Sequence, residues 1–410
     1  MIKFFRLLKL NFAKAKSYYM QLIALAILFV IAGCSNQPTK HWFKGNLHTH
    51  SYWSDGDEFP EVIMDWYKSH EYGFIALSDH NILAEGDKWV TIRPDSLYQK
   101  AFMNYLNTYG EEWVNYKNDS GQATVKLKTL AEYRGRFEEP DKFLIIKSEE
   151  ITDHFENKPI HVNATNVQTL IEPQGGHSVA DVLQNNIDQV IDQREATGMP
   201  MIPHINHPNF GYAIHLEDII ALHGERFFEV YNGHPLVHNM GDSIHMSIEN
   251  MWDLINMAYI KNNKPIMYGL ATDDSHHYHT KGHTWSNAGR GWIMVRTDSL
   301  NPKSIIKAME TGDFYASTGV ELEAIAFDHN VLSVEIKEEP GVTYTITFKG
   351  CKKGKSSPEE FEVVEGTKAS FKLTNEVLFV RCKITSSKLQ DNHIEDLIYE
   401  TAWTQPVVTD

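Results

Sequence analysis

Cysteine is scarce here: the 410-residue chain holds three. So few thiols exclude a disulfide-stapled scaffold. Positive charge is short as well. Lysine and arginine number 38 against 54 aspartates and glutamates, giving a net charge of −16 at pH 7. A surface of that sign repels long polyanions, and binding a phosphate backbone needs Lys and Arg. The balance therefore argues against a nucleic-acid polymer as partner, while a small phosphate in a metal-lined pocket stays compatible. The apolar run at 22–32 is too short to cross a bilayer comfortably, since a spanning helix needs ~20 residues. Internal repeats and low-complexity segments are missing too.

Residues 1–33 read as a targeting segment, with basic Lys3, Arg6, Lys9, Lys14 and Lys16 ahead of the apolar run. Ile31-Ala32-Gly33-Cys34 resembles a bacterial lipobox. The resemblance implies cleavage before Cys34 and a lipid on that residue. It also implies an exported protein, anchored to a bacterial membrane and facing the periplasm or the surface. Residues 34–41 would be the tether. Cleavage removes five basic residues and no acidic one, and moves the charge from −16 to −21. Beyond the lipid-bearing Cys34 only Cys351 and Cys382 remain, either paired in an oxidising compartment or as two buried free thiols.

The rest is organised around 46–80. His48 and His50 lie two apart, so in a strand both imidazoles share one face. Asp55 follows in a Ser-Asp-Gly turn. A helix is expected from Pro60 to before Gly73. A buried strand at 74–77 then delivers Asp79 and His80. Residues 84–140, rich in aromatics, read as an insertion, either packed on the surface or walling the site. A strand at 143–146 leads to Glu149-Glu150-Ile151-Thr152, and His161 stands in another strand-like run. An amphipathic helix is predicted over 178–197. Strands at 199–203 and 227–231 lead to His204-Ile205-Asn206-His207-Pro208 and to Asn232-Gly233-His234. A helix near 244–261 and a strand at 265–271 precede Asp273-Asp274-Ser275-His276. A polar loop with Lys281 and Arg290 comes next. After 319 short strands with turns between them suggest a β-sandwich.

A lone His-x-His pair is weak evidence of a metal. The whole pattern over 43–318 resembles the PHP superfamily, the polymerase-and-histidinol-phosphatase metal hydrolases. That resemblance implies an α/β fold: a distorted seven-stranded (β/α) barrel over 42–318, with the 319–410 β-sandwich appended. It implies two or three divalent ions (Zn, Mn or Fe). One takes His48, His50, Glu150 and Asp274. A second shares Glu150 and takes His161 and His207. A third takes Asp55, His80 and His276. Glu149 is the alternative to Glu150, and Asp273 to Asp274, although parity in a strand favours Asp274. Lys281 or Arg290 would neutralise phosphate charge. His234 and Asn232 would orient the substrate or protonate the leaving group. His204 would be a supporting residue or a substrate contact.

The expected activity is hydrolysis of a small phosphorylated substrate, a mono- or diester, by metal-activated hydroxide. Two other readings stand beside it. One is a metal-dependent hydrolase of a non-phosphate bond, such as a cyclic amide or glycoside. The other is a non-catalytic lipoprotein that binds glycan or a partner protein.

Overall fold

In the computed structural model the described residues are 39–394 and 397–409. The leader and Cys34 lie outside them. Strand β1 (His41–Asn46) is followed by a long turn and helix α1 (Pro60–Ser69), which has proline in its first turn. Strand β2 (Phe74–Leu77) then runs parallel to β1, pairing Gly45 with Phe74. Gly45 is required there, because a Cβ would lie 2.1 Å from the Phe74 ring. This is the strand-helix-strand unit expected at 46–80, except that β1 ends before the histidines.

The insertion holds β3 (Trp89–Thr91), α2 (Ser96–Tyr109), β4 (Tyr116–Asp119), β5 (Gln122–Lys126) and α3 (Leu130–Phe137). Its strands form their own sheet in the order β3-β5-β4. Six of its aromatics face inward, while Tyr116 is exposed. Tyr98, Phe102, Tyr105, Tyr109, Tyr133 and Phe137 are buried in one cluster with Phe59, Ile63 and Tyr67. The packed reading, not the wall, describes these side chains.

Strands β6 (Leu144–Phe155) and β7 (Lys158–Thr165) form a direct antiparallel hairpin. After it come α4 (Val179–Thr197), β8 (Ile202–Ile205), α5 (Leu216–Ala221), β9 (Phe227–Asn232), α6 (Ile248–Lys261) and β10 (Tyr268–Thr272). Helix α4 is bounded as its residues dictate: the Ser178 side chain accepts from the Asp181 amide, and Gly198 ends it in a left-handed conformation. Then follow β11 (Trp292–Thr297), α7 (Pro302–Glu310) and β12 (Phe314–Ser317).

At least seven strands of this region were expected to alternate with helices. The β6–β7 hairpin and the antiparallel β11–β12 pair depart from that. The fold is mixed α/β with one large sheet. Its order is β10-β9-β8-β7-β6-β2-β1-β11-β12-β19-β18-β15-β16. Strand β10 also lies near β11 and β12.

The C-terminal strands are β13 (Leu322–Asp328), β14 (Val331–Ile336), β15 (Tyr344–Lys352), β16 (Glu359–Glu365), β17 (Lys368–Lys372), β18 (Val377–Leu389) and β19 (Tyr399–Thr404). The β13-β14-β17 sheet packs Leu332, Val334 and Ile336 against Tyr344, Ile346 and Phe348 of β15. The other four strands continue the large sheet, and 41–410 forms one compact unit. Cys351 and Cys382 are buried and unpaired.

Candidate metal centre

Beyond β1 the chain at 47–50 runs beside 273–276. The Asp274 amide donates to the His48 carbonyl at 2.9 Å, and the His50 amide to the Ser275 carbonyl at 2.9 Å. Neither segment is a regular strand. Their alternation nevertheless sends His48, His50 and Asp274 into one space. Asp274 is held at φ 48°, a left-handed value that Asp tolerates better than most residues. Its Oδ1 lies 3.3 Å from both His48 Nε2 and His50 Nε2.

Strand alternation in β6 separates the two glutamates. Glu149 turns away and accepts from the Ile171 amide at 2.8 Å. Glu150 turns inward, with carboxylate oxygens 3.4 Å from His48 Nε2, 3.3 Å from His50 Nε2 and 3.3 Å from His207 Nε2. His80 and His161 come closer, at 2.8 and 2.9 Å, both through Nδ1. Asp55 stands at the exposed edge, its Oδ1 3.3 Å from His276 Nε2 and 3.6 Å from His80 Nε2. Asp79 shapes that edge by accepting from Ser51 and Ser54 hydroxyls. Asp273, the alternative ligand, is engaged elsewhere. It accepts from the Arg290 and Gly291 amides at 2.6 and 2.9 Å and from Tyr67 at 2.8 Å.

All nine ligand candidates thus converge. Burial pushes the Glu150 carboxyl up, but His80, His48 and His161 outweigh it and hold the group well below the usual carboxylate range. Burial, with His276 and His80 nearby, lowers His50 to about 3, so its ring is a neutral donor at neutral pH. The fit to a cation can be tested on the atoms. His48 Nε2 and His50 Nε2 are buried without hydrogen-bond partners, which costs stability unless something binds them. Two donors each ~2.1 Å from one tetrahedral ion lie about 3.4 Å apart, close to the 3.3–3.4 Å between these nitrogens and the carboxylate oxygens of Glu150 and Asp274. The donor set fits divalent ions. His48, His50, His207, Glu150 and Asp274 fall into overlapping groups of that kind, and His50, Asp55, His80 and His276 form another.

No protein-family model matches the sequence, and no curated protein does. Among solved structures, a two-domain protein from Bacteroides vulgatus, described as containing a predicted PHP-like metal-dependent phosphoesterase, is similar at 12% identity. The match covers 90% of this chain and 96% of that one, with a TM-score of 0.39. A chain from Bifidobacterium adolescentis, described as a candidate metal-dependent phosphoesterase, matches at 10% identity over 60% of this chain and 92% of its own, with a TM-score of 0.29. An amidohydrolase from Chromobacterium violaceum with bound sulfate and no metal matches at 12% over 57% and 87%, with a TM-score of 0.27. Structural neighbours thus include a PHP-like phosphoesterase. At such scores the likeness decides nothing about activity, which has to be read from the donor set.

The supporting residues sort differently from expectation. Arg290 was expected to meet phosphate. Instead its guanidinium donates to the carbonyls of Gly233, Gly282, Trp285 and Asn392 and to the Asn392 side chain. A cation with its donors so engaged clasps loops together. Lys281 is exposed and lines a cleft of about 850 Å³ with Lys44, Trp66 and Trp292, to which none of the nine ligand candidates contributes. Asn232 is fully buried, donating to Glu229 at 2.8 Å and to Asp274 at 3.1 Å, so it holds these carboxylates in place. His204 is fully buried behind His48, 3.5 Å from Glu229, out of a substrate's reach. His234 does stand at the cluster, its ring 5.5 Å from that of His276. Its Nδ1 accepts from the Leu236 amide at 3.1 Å, so the neutral ring carries its proton on Nε2. Burial lowers it to about 4.

Sequence reasoning missed Glu229 and Asn206. Asn206 donates to Glu150 at 2.6 Å. Glu229 had a visible signal, a carboxylate inside the apolar strand Phe227-Phe228-Glu229-Val230-Tyr231. Asn206 had none beyond its neighbour His207.

Proposed function

We propose that this chain is a PHP-type metal-dependent phosphoesterase acting on a small phosphorylated molecule, mono- or diester, on a distorted barrel. One observation carries the reading: nine His, Asp and Glu side chains meet around the buried Nε2 atoms of His48 and His50, which lack hydrogen-bond partners. His48, His50, Glu150 and Asp274 would hold one ion, Glu150, His161 and His207 a second, and Asp55, His80 and His276 a third. A divalent ion bound there supplies Lewis acidity and lowers the pKa of a coordinated water. The chain's own groups do the rest. His234 presents its Nε2–H, from which a leaving oxygen can take a hydrogen bond. Asn232 fixes the orientation of Asp274, and Asn206 that of Glu150.

A second reading, hydrolysis of an uncharged bond such as a cyclic amide, is favoured by a separate observation. Of the two cations expected to balance phosphate, the Arg290 guanidinium is taken up by backbone carbonyls, and Lys281 lines a cleft to which none of the nine ligand candidates contributes. Purified protein reconstituted with Zn²⁺ or Mn²⁺ and assayed on aryl phosphate mono- and diesters and on cyclic amides separates them. Metal-dependent ester hydrolysis is expected. Amide hydrolysis without ester hydrolysis would overturn the phosphoesterase reading.

We also propose export and lipid anchoring through Cys34. Cys34→Ser should leave the rate unchanged and move the protein from the membrane to the soluble fraction, because acyl chains supply the anchor. A membrane-bound variant after leader cleavage would count against it.

A further inference from the structure

We infer that Glu229 is the positioning residue of this centre, fixing the ring and tautomer of His48 and tying together three segments that bear ligands. The inference rests on the metal-hydrolase reading above and deepens it. Glu229 sits in the middle of β9 and is fully buried. Its neighbours Phe228 and Val230 point the other way, into an apolar cluster. A carboxylate in such a place needs its oxygens satisfied, and here every partner leads to the metal centre. Oε1 takes His48 Nδ1 at 2.7 Å and the Thr272 hydroxyl at 2.7 Å, with His204 Nε2 at 3.5 Å. Oε2 takes the His207 amide at 2.7 Å and Asn232 Nδ2 at 2.8 Å. Asn232 passes the constraint on to Asp274. One carboxylate thereby registers the loop after β1, the His-Pro turn after β8 and the end of β10.

The tautomer follows from the distances. His48 meets Glu229 at 2.7 Å, the length of a charge-assisted hydrogen bond. Its other nitrogen is 3.4 and 3.3 Å from Glu150 and Asp274, the spacing of donors that share an ion. His48 therefore donates from Nδ1 and offers a lone pair from Nε2. A carboxylate behind a ligating imidazole sets its orientation and raises its basicity, and removing such a partner typically costs ~10–100-fold in metal affinity. His48, His204 and Glu229 could in principle hold an ion of their own. That would require His48 to give up the hydrogen bond and ligate through both nitrogens.

The test compares wild type with Glu229→Gln, both stripped of metal. Zn²⁺ affinity is read by chelator competition, the Co²⁺ ligand field by its visible absorption spectrum, and the fold by melting of the metal-free protein. Gln must turn an NH₂ toward one of two donor pairs, so Zn²⁺ affinity should fall ~10–100-fold and the Co²⁺ spectrum should shift, with the metal-free melting temperature nearly kept. Glu229→Asp, which retains the charge, should recover part of the affinity. Wild-type affinity and spectrum in Glu229→Gln would overturn the inference alone. A wild type that binds no Zn²⁺ would overturn the underlying reading as well. Should Glu229→Gln fail to fold, ¹⁵N-histidine NMR of the zinc-loaded wild type decides. His48 protonated on Nδ1 supports the role, and the opposite tautomer overturns it.

Discussion

Glu150 lies within 3.4 Å of five histidines, His48, His50, His80, His161 and His207. Removing it leaves five imidazoles without the carboxylate they share. Glu150→Ala should lower kcat/KM by more than the ~10–100-fold expected of a supporting residue, and metal analysis should show lost occupancy; a fully loaded, active variant would sink the assignment. Glu149 makes a different prediction, about stability. Burial raises its carboxyl to about 8 from an ordinary 4.5, and its Oε2 has no hydrogen-bond partner. Below about pH 4.5 folded and unfolded chains both carry this proton. Above it the unfolded chain ionises first, so stability falls as pH rises toward 8 and levels off beyond. A tenfold change in proton affinity between the two states is worth about 1.4 kcal/mol, so the effect amounts to a few kcal/mol. Glu149→Gln should flatten the fall of the metal-free denaturation midpoint over that range. Glu58, likewise raised to about 8 by burial, keeps part of the slope.

At the scale of elements, the insertion behaves as structure. The Tyr105 ring stacks on Phe59 at 3.9 Å, and its hydroxyl joins Trp113 Nε1 in donating to the buried Glu61, at 2.8 and 2.7 Å. Tyr105→Ala should cost ~3–5 kcal/mol and reduce turnover of a minimal aryl phosphate and of a bulky ester together. A loss confined to the bulky ester, with an unchanged melting curve, would restore the wall reading. The same elements show what the residues made legible. The α1 unit, β2, α4 and the strands ahead of the ligands were readable, because their apolar spacing and caps are local. Strand β6 was not readable to its end at Phe155. Glu149, Glu150 and Asp153 interrupt its apolar alternation, since they answer to side chains far away in sequence. His48 and His50 had the right parity for the wrong reason: the backbone at 47–50 is ordered by 273–276, not by a strand of its own. Arg290 misled for a similar cause, as carbonyls brought by distant segments take up its donors.

For the whole molecule, β12 pairs with β19, and helix α6 is pinned to β18 by a buried ion pair. Arg381 meets Asp253 at 2.6 and 2.8 Å, and both are fully buried. Arg381→Met should destabilise by up to ~3 kcal/mol, because the buried Asp253 loses both guanidinium bonds and keeps Lys349, at 3.3 Å. Residues 42–318 expressed alone should not reach a cooperative fold, which a denaturation curve would check. The same topology bears on time. Strand β19 sits between β12 and β18 in the sheet, yet Thr401, which accepts from Ser317 Oγ, is made 84 residues after it. A chain emerging from its amino end has β12 in hand long before the strand that covers it. Throughout that interval an open edge is presented to any other nascent copy. Completion of the sheet thus waits on the last strands to be made.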